Sequence, residues 1–188
     1  EDARRLLVVC PAMLCDKWKR ELAHRFGVKA SIVDAHELIQ QFEEVKRQPH
    51  QEFALIASLQ GIRPSRGWND EDEPSDTAAA RLARLLNESE LEEPLLDMVI
   101  IDEAHYLRNQ DTQTYRLGKL LRPVAQHMVM LSATPIQLRN RDLFNLVHLL
   151  DEDAFPYERS FEWTLRANAP IVDLRDRVLS STITQQDF

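Results

Sequence analysis

Five short, unbroken apolar runs constrain this chain more than any other feature: residues 6–10 (LLVVC), 31–34 (SIVD), 53–58 (FALIAS), 98–102 (MVIID) and 128–132 (MVMLS). They are compact rather than alternating. Strands that are apolar on both faces belong in a sheet covered on both sides, and such sheets are mostly parallel. Segments with helical spacing lie between the runs. Leu14, Trp18, Leu22 and Phe26 recur every fourth position, and Gly27 follows as a stop. Residues 78–86 are rich in Ala, Leu and Arg, with Ser75, Asp76 and Thr77 available as caps. Residues 115–121 and 143–150 also carry helical spacing. Strands alternating with helices predict an α/β fold, a mostly parallel sheet flanked by helices. A chain of 188 residues can bury one sizeable core.

One stretch breaks the alternation. Residues 61–76 (GIRPSRGWNDEDEPSD) combine Gly, Pro and a run of acids, and predict an exposed, mobile loop. A second acidic stretch, 87–93, leads into the fourth strand. The tail after Asp151 has weaker periodicity, with one helix expected at 171–179.

Composition removes several classes of protein. No apolar run approaches the roughly 20 residues that a membrane-spanning helix needs. The opening residues, EDARRLLVVC, are not a secretory signal, because acids precede a short apolar run. The chain has no initiator Met and reads as a fragment of a longer protein. Cys10 and Cys15 are its only cysteines, and its six His residues are scattered without ligand spacing. That pattern suits two structural thiols in a reducing compartment better than a metal site. The net charge of −8 speaks against a protein that coats nucleic acid, though not against one that touches phosphate at a few points.

The strongest chemical signal is DMVIIDEAHYLRN, residues 97–109. It is an apolar strand with two acids at its end. In an open parallel sheet, ligands bind beyond the carboxyl ends of the strands. An acid there can hold Mg2+ through water, and the next can polarise the water that attacks a phosphoryl group. Asp102 is thereby assigned to the metal and Glu103 to the water. A strand that merely ends in a solvated Asp-Glu turn is the alternative, and Ala104-His105 weakens it. The second signal is MVMLSATPIQ, residues 128–137. Its separation from Asp102 fits one helical crossover, which would place Ser132 and Thr134 within reach of the acids or of His105. Taken alone, that segment reads better as a Ser/Thr turn that stops a strand at Pro135.

DEAH followed by SATP resembles motifs II and III of superfamily 2 helicases, and the surroundings resemble the Swi/Snf branch. DEAHYLRN precedes a Thr/Gln/Tyr-rich helix start, and SATPIQ leads to DLFNLVHLLDEDAF. LVVCPAMLCDKWKREL, residues 7–22, is similar to motif Ia, and FALIASLQGIR, residues 53–63, stands where motif Ib belongs. The spelling SATP points to a bacterial member.

The resemblance implies a RecA-like domain over residues 1–156, with the acidic loop at 61–76, and a helical extension at 157–188 towards a second RecA-like domain of the same chain. It implies an ATP- and Mg2+-dependent motor that moves on double-stranded DNA, with Asp102 and Glu103 catalytic. His105, Ser132, Ala133 and Thr134 would couple nucleotide state to movement. Pro11, Ala12 and Met13, with Ser58 and Leu59, would meet the DNA backbone. Lys17, Lys19 and Arg20 read as a solvated helix face, and Trp18 reads as core. A strand-separating helicase, the motor of a restriction or defence system, or a non-catalytic acidic interaction module are the alternatives. A protein partner at the acidic loop and a cytoplasmic, nucleoid-associated setting complete the expectation.

One departure is large. The family grips phosphates with G-x-x-x-x-G-K-[ST]. This chain has four glycines, at 27, 61, 67 and 118, and none lies in such a loop. The chain is therefore expected to begin after that loop and to turn over no ATP alone. Without the strand that precedes the loop, the sheet is expected to show an unpaired edge.

Overall fold

The computed structural model describes residues 3–48, 50–70, 72–88, 93–133 and 139–184. The chain divides into two compact units, residues 1–138 and 139–188. The first is a five-stranded sheet with the order β2-β3-β1-β4-β5, parallel at every pairing. The strands are β1 (Arg5–Cys10), β2 (Ser31–Val33), β3 (Phe53–Ser58), β4 (Leu96–Ile101) and β5 (Ala125–Met130). The helices are α1 (Cys15–Phe26), α2 (Ala35–Arg47), α3 (Leu59–Ile62), α4 (Ala78–Asn87) and α5 (Gln113–Leu121). This is the parallel α/β arrangement that the apolar runs predict, and it agrees with the RecA-like domain that the resemblance implies.

Burial explains why the central runs do not alternate, whereas β2 and β5, expected to be covered like the others, lie at the ends of the strand order and are largely exposed. β1 is central, and Leu7, Val8, Val9 and Cys10 are all fully buried. Val8 and Cys10 face α1, in a cluster with Cys15, Leu22, Ala30 and Ile56. Leu7 and Val9 point the other way and share that face with Leu55, Ala57, Val99 and Ile101. A strand covered on both sides has no position left for a polar side chain.

The start of the sheet is tied by Asp97. Its Oδ2 accepts from the backbone N–H groups of Arg4 (2.7 Å) and Arg5 (2.9 Å), and its Oδ1 accepts from the Arg5 guanidinium at 2.8 and 3.1 Å. Burial alone raises the Asp97 carboxyl. The Arg5 side chain, the two backbone donors and the Arg5 charge outweigh it and hold the group below the ordinary carboxylate value.

Four differences from the sequence reading have local causes. α2 carries a full capping box, Asp34 with Glu37, and buries Leu38, Phe42 and Val45. Phe26, on the expected apolar stripe of α1, is 71% exposed, because Leu22 is the last buried residue before Gly27 turns the chain at φ 67°. β5 starts at Ala125, since pairing with β4 begins at Leu96 opposite Ala125. β5 pairs only with β4 among the described residues, leaving one edge of the sheet open there.

The fourth difference is the acidic loop, which is anchored rather than loose. Ile62, Pro64 and Trp68 are buried. Arg84 of α4 donates to the backbone carbonyls of Trp68 (2.8 Å) and Ser75 (2.9 Å), and Ser65 Oγ bonds to Ser75 and Thr77. Asp70, Asp72 and Glu73 stay at the surface. Replacing Arg84 with Ala strips two charge-assisted bonds from the loop at roughly 1.5–3 kcal/mol each. The expected result is faster proteolytic nicking within residues 63–77 while the sheet stays folded. An unchanged cleavage rate would show that the buried side chains and the Ser65 bonds hold the loop without Arg84.

The second unit holds α6 (Asn140–Leu150) and α7 (Glu158–Thr184). α7 starts well before the helix expected at 171–179 and runs through Pro170. Phe144 and Phe161 meet with ring centroids 5.8 Å apart, and Phe155 packs edge-on against Phe161 at 5.5 Å. Among the described residues no helix is long and apolar enough to cross a membrane.

Candidate functional site

Parallel pairing brings the carboxyl ends of β1, β3, β4 and β5 to one edge of the sheet, and the residues just beyond them carry the chemistry. Asp102 continues the ladder, its N–H donating to Val9 O at 2.8 Å. Its carboxylate accepts two short bonds. Glu103 N–H donates to Oδ1 at 2.8 Å, and Trp18 Nε1–H donates to Oδ2 at 2.8 Å.

Glu103 has φ 53° and ψ 46°, the sole non-glycine residue in the left-handed region among those described. A side chain there costs roughly 1–3 kcal/mol and persists only where the surroundings impose it. The cause lies on either side. Asp102 N–H is fixed to β1, and Ala104 N–H is fixed to Leu131 O at 2.8 Å. Ala104 and Leu107 are buried and pin the 3-10 turn that follows. The chain turns sharply at Glu103 and presents its carboxylate at the sheet edge. His105 Nδ1 lies 3.0 Å from Glu103 Oε2, an approach off the ring N–H direction, and the His105 ring packs on Tyr106 at 4.4 Å.

Leu131 N–H donates to Ile101 O at 2.8 Å, so Ser132 and Ala133 follow directly beside the end of β4. Thr134 lies outside the described residues.

At the other strand ends, Pro11 is buried, while Ala12 and Met13 are exposed, Met13 to 86%. The N–H of Ala12 donates to Gln60 Oε1 at 3.2 Å, which joins the turn after β1 to α3. Ser58 Oγ caps α3 by accepting from Gly61 N–H at 3.1 Å. A Cβ on Gly61 would stand 2.7 Å from that hydroxyl, so the cap requires glycine there. The Leu59 side chain is in the core, at 3% exposure, and only its backbone is available to a ligand. Lys17, Lys19 and Arg20 are exposed.

Two residues escaped the sequence reading. Gln60 carried no signal beyond following Ser58. Trp18 shares the stripe of Leu14 and Leu22, yet only its ring packs on the core cluster, while its N–H reaches Asp102. Cys10 and Cys15 are buried with their sulfurs 3.6 Å apart. Burial pushes the Cys10 thiol far up, helped by Cys15 and by the Asp102 charge, which keeps it out of thiolate chemistry.

Among the described residues no three His, Cys, Asp or Glu side chains gather into a metal cage. Mg2+ is usually held by one or two carboxylates, with water and substrate phosphates completing the shell. Asp102 suits the part of such a carboxylate, with one donor on each oxygen and lone pairs left over.

A parallel sheet with acids beyond one strand and a Ser-Ala turn beyond its neighbour defines a RecA-like domain of the helicase type. The chain belongs to the family of the SNF2-related domain, whose model matches residues 1–183. It is similar to the RNA polymerase-associated protein RapA of Photobacterium profundum, 25% identical over 95% of this chain and 17% of that protein. It is also similar to the uncharacterized ATP-dependent helicase YqhH of Bacillus subtilis, 27% identical over 94% of this chain. The chain spans 27% of YqhH, so it matches a small part of each relative. Its fold is similar to the Sulfolobus solfataricus SWI2/SNF2 ATPase core solved with dsDNA. The TM-score there is 0.52 and the identity 19%, over 85% of this chain and 28% of that one.

Proposed function

We propose that this domain is the first motor domain of an ATP-driven translocase on duplex DNA. The observation that carries this is the Asp102–Glu103 pair, set at the carboxyl edge of a parallel sheet with a strained backbone at Glu103.

In this reading Asp102 would hold Mg2+, and the ion would supply charge neutralisation on the phosphate oxygens. Glu103 orients the attacking water and accepts its proton, with His105 3.0 Å away to sense its charge. Ser132, Ala133 and Thr134 carry nucleotide state from β5. Ala12, Met13 and Ser58, with the backbone of Pro11 and Leu59, meet one DNA strand. The Ala12 N–H is already held by Gln60, so Met13 at the exposed tip is the better placed of the two. A boundary near residue 156 separates the motor domain from the segment leading to its partner domain. This sequence has no G-x-x-x-x-G-K-[ST] loop, so phosphate grip comes from elsewhere in the assembled motor and the 188-residue chain alone turns over no ATP. The setting is the cytoplasm, at the nucleoid. RNA polymerase is a candidate partner on the strength of the RapA relatives' name.

The test is ATP turnover by the intact motor without nucleic acid, with single strands and with duplex. Duplex is expected to stimulate most. Displacement of a third strand from a triplex, with the duplex itself left paired, marks translocation. Separation of the duplex would transfer the proposal to a strand-separating helicase. Turnover indifferent to any nucleic acid would end the motor reading.

A further inference from the structure

We infer that Trp18 is a positioning residue, which fixes the carboxylate of Asp102 and ties it to the turn that follows β1. An indole N–H is a donor only, and a half-buried one needs an acceptor. Here the acceptor is Asp102 Oδ2 at 2.8 Å, while Oδ1 is taken by Glu103 N–H at 2.8 Å. With one donor on each oxygen, the carboxylate cannot rotate without breaking a charge-assisted bond. The remaining lone pairs are the ones left for water or an ion.

The indole itself is held. It packs against the cluster of Val8, Cys10, Cys15 and Leu22, on the helix that begins directly after the turn Ala12–Leu14. Gln60 braces the same turn from α3 through the N–H of Ala12. A displacement of the turn therefore moves α1, and Trp18 passes it to Asp102. Partners that orient a metal-holding carboxylate without touching the metal set its affinity.

The bond is tested on this chain by indole N–H NMR. The Trp18 signal is assigned by its loss in Trp18→Phe. In Asp102→Ala it is expected to move upfield and to exchange faster with water, with the signals of Trp68 and Trp163 unmoved. Asp102→Asn keeps a neutral acceptor and gives a smaller move in the same direction. A Trp18 signal that ignores both variants, while Trp68 reports an intact fold, overturns the inference.

The consequence for the metal rests on the proposed motor function. In the intact motor, Trp18→Phe is expected to raise the Mg2+ concentration for half-maximal turnover about tenfold, with little change at saturating Mg2+. Leu38→Ala, a packing loss on α2 outside that cluster, should lower stability and leave that concentration unchanged. An unshifted Mg2+ dependence in Trp18→Phe overturns the positioning role even where the bond exists. If the unaltered motor shows no turnover, the motor reading fails, and the indole signals still decide whether Trp18 holds Asp102.

Discussion

Glu103→Gln is expected to lower ATP turnover by the intact motor about a thousandfold and to leave nucleotide binding nearly unchanged. The substitution keeps the volume of the side chain and its hydrogen-bonding reach. It removes the negative charge and the basic lone pair that take a proton from water, and a positioned acid-base group contributes on the order of 10²–10⁴-fold. The backbone argues for the same residue. Glu103 is held at φ 53° by bonds on both sides, Asp102 N–H to Val9 O and Ala104 N–H to Leu131 O. A conformation this unfavourable for a side chain persists at a position where the direction of that side chain matters. A second variant separates chemistry from strain. Glu103→Gly suits the left-handed region and should stabilise the domain by about 1 kcal/mol, while turnover falls as in the Gln variant. Turnover within tenfold of the parent in Glu103→Gln would remove the residue from the chemistry.

Asp97→Ala, far from the site, is expected to destabilise the domain by about 2 kcal/mol. The change removes the acceptor of the part-buried Arg5 N–H and of the exposed Arg4 N–H, which water can satisfy, and leaves the Arg5 guanidinium without its partner. The Asp97 side chain keeps 18% of its surface in solvent, and that screening holds the cost below that of breaking a fully buried pair. The pH dependence has a definite sign. The folded carboxyl sits below its ordinary value, so its stabilisation is complete above the unfolded range, near pH ~4, and is lost as pH falls through the lower folded value. Urea melts should therefore show the parent and the variant furthest apart at neutral pH and converging in acid. A gap that persists undiminished into acid would mean that Asp97 acts through packing rather than charge.

The fold was legible because covered strands leave a blunt mark. Leu7 to Cys10 sit at the centre of the sheet with no solvent on either side, and only apolar residues satisfy that position. The acids were legible for a related reason. Asp102 and Glu103 follow four apolar residues directly, and the carboxyl edge is where a parallel sheet is open to ligands. The capping box of α2 was equally visible at Asp34 and Glu37, though that helix was not singled out.

Other features depend on residues distant in the chain. Residues 61–76 have the composition of a loose loop, and as an isolated segment they would be one. Trp68 finds a buried site, and Arg84, from the next helix, supplies donors to two loop carbonyls. Trp18 belongs to an apolar stripe by its spacing, and a stripe does not say where an indole N–H points. Glu103 is an ordinary residue in the sequence, and its left-handed backbone arises from ladders on either side of it. Short-range spacing thus specified the strands, the crossovers and the order of the acids, since those depend on local periodicity and burial. The orientation of Asp102, the strain at Glu103 and the anchoring of the acidic loop follow from contacts between segments far apart in sequence, which periodicity does not encode.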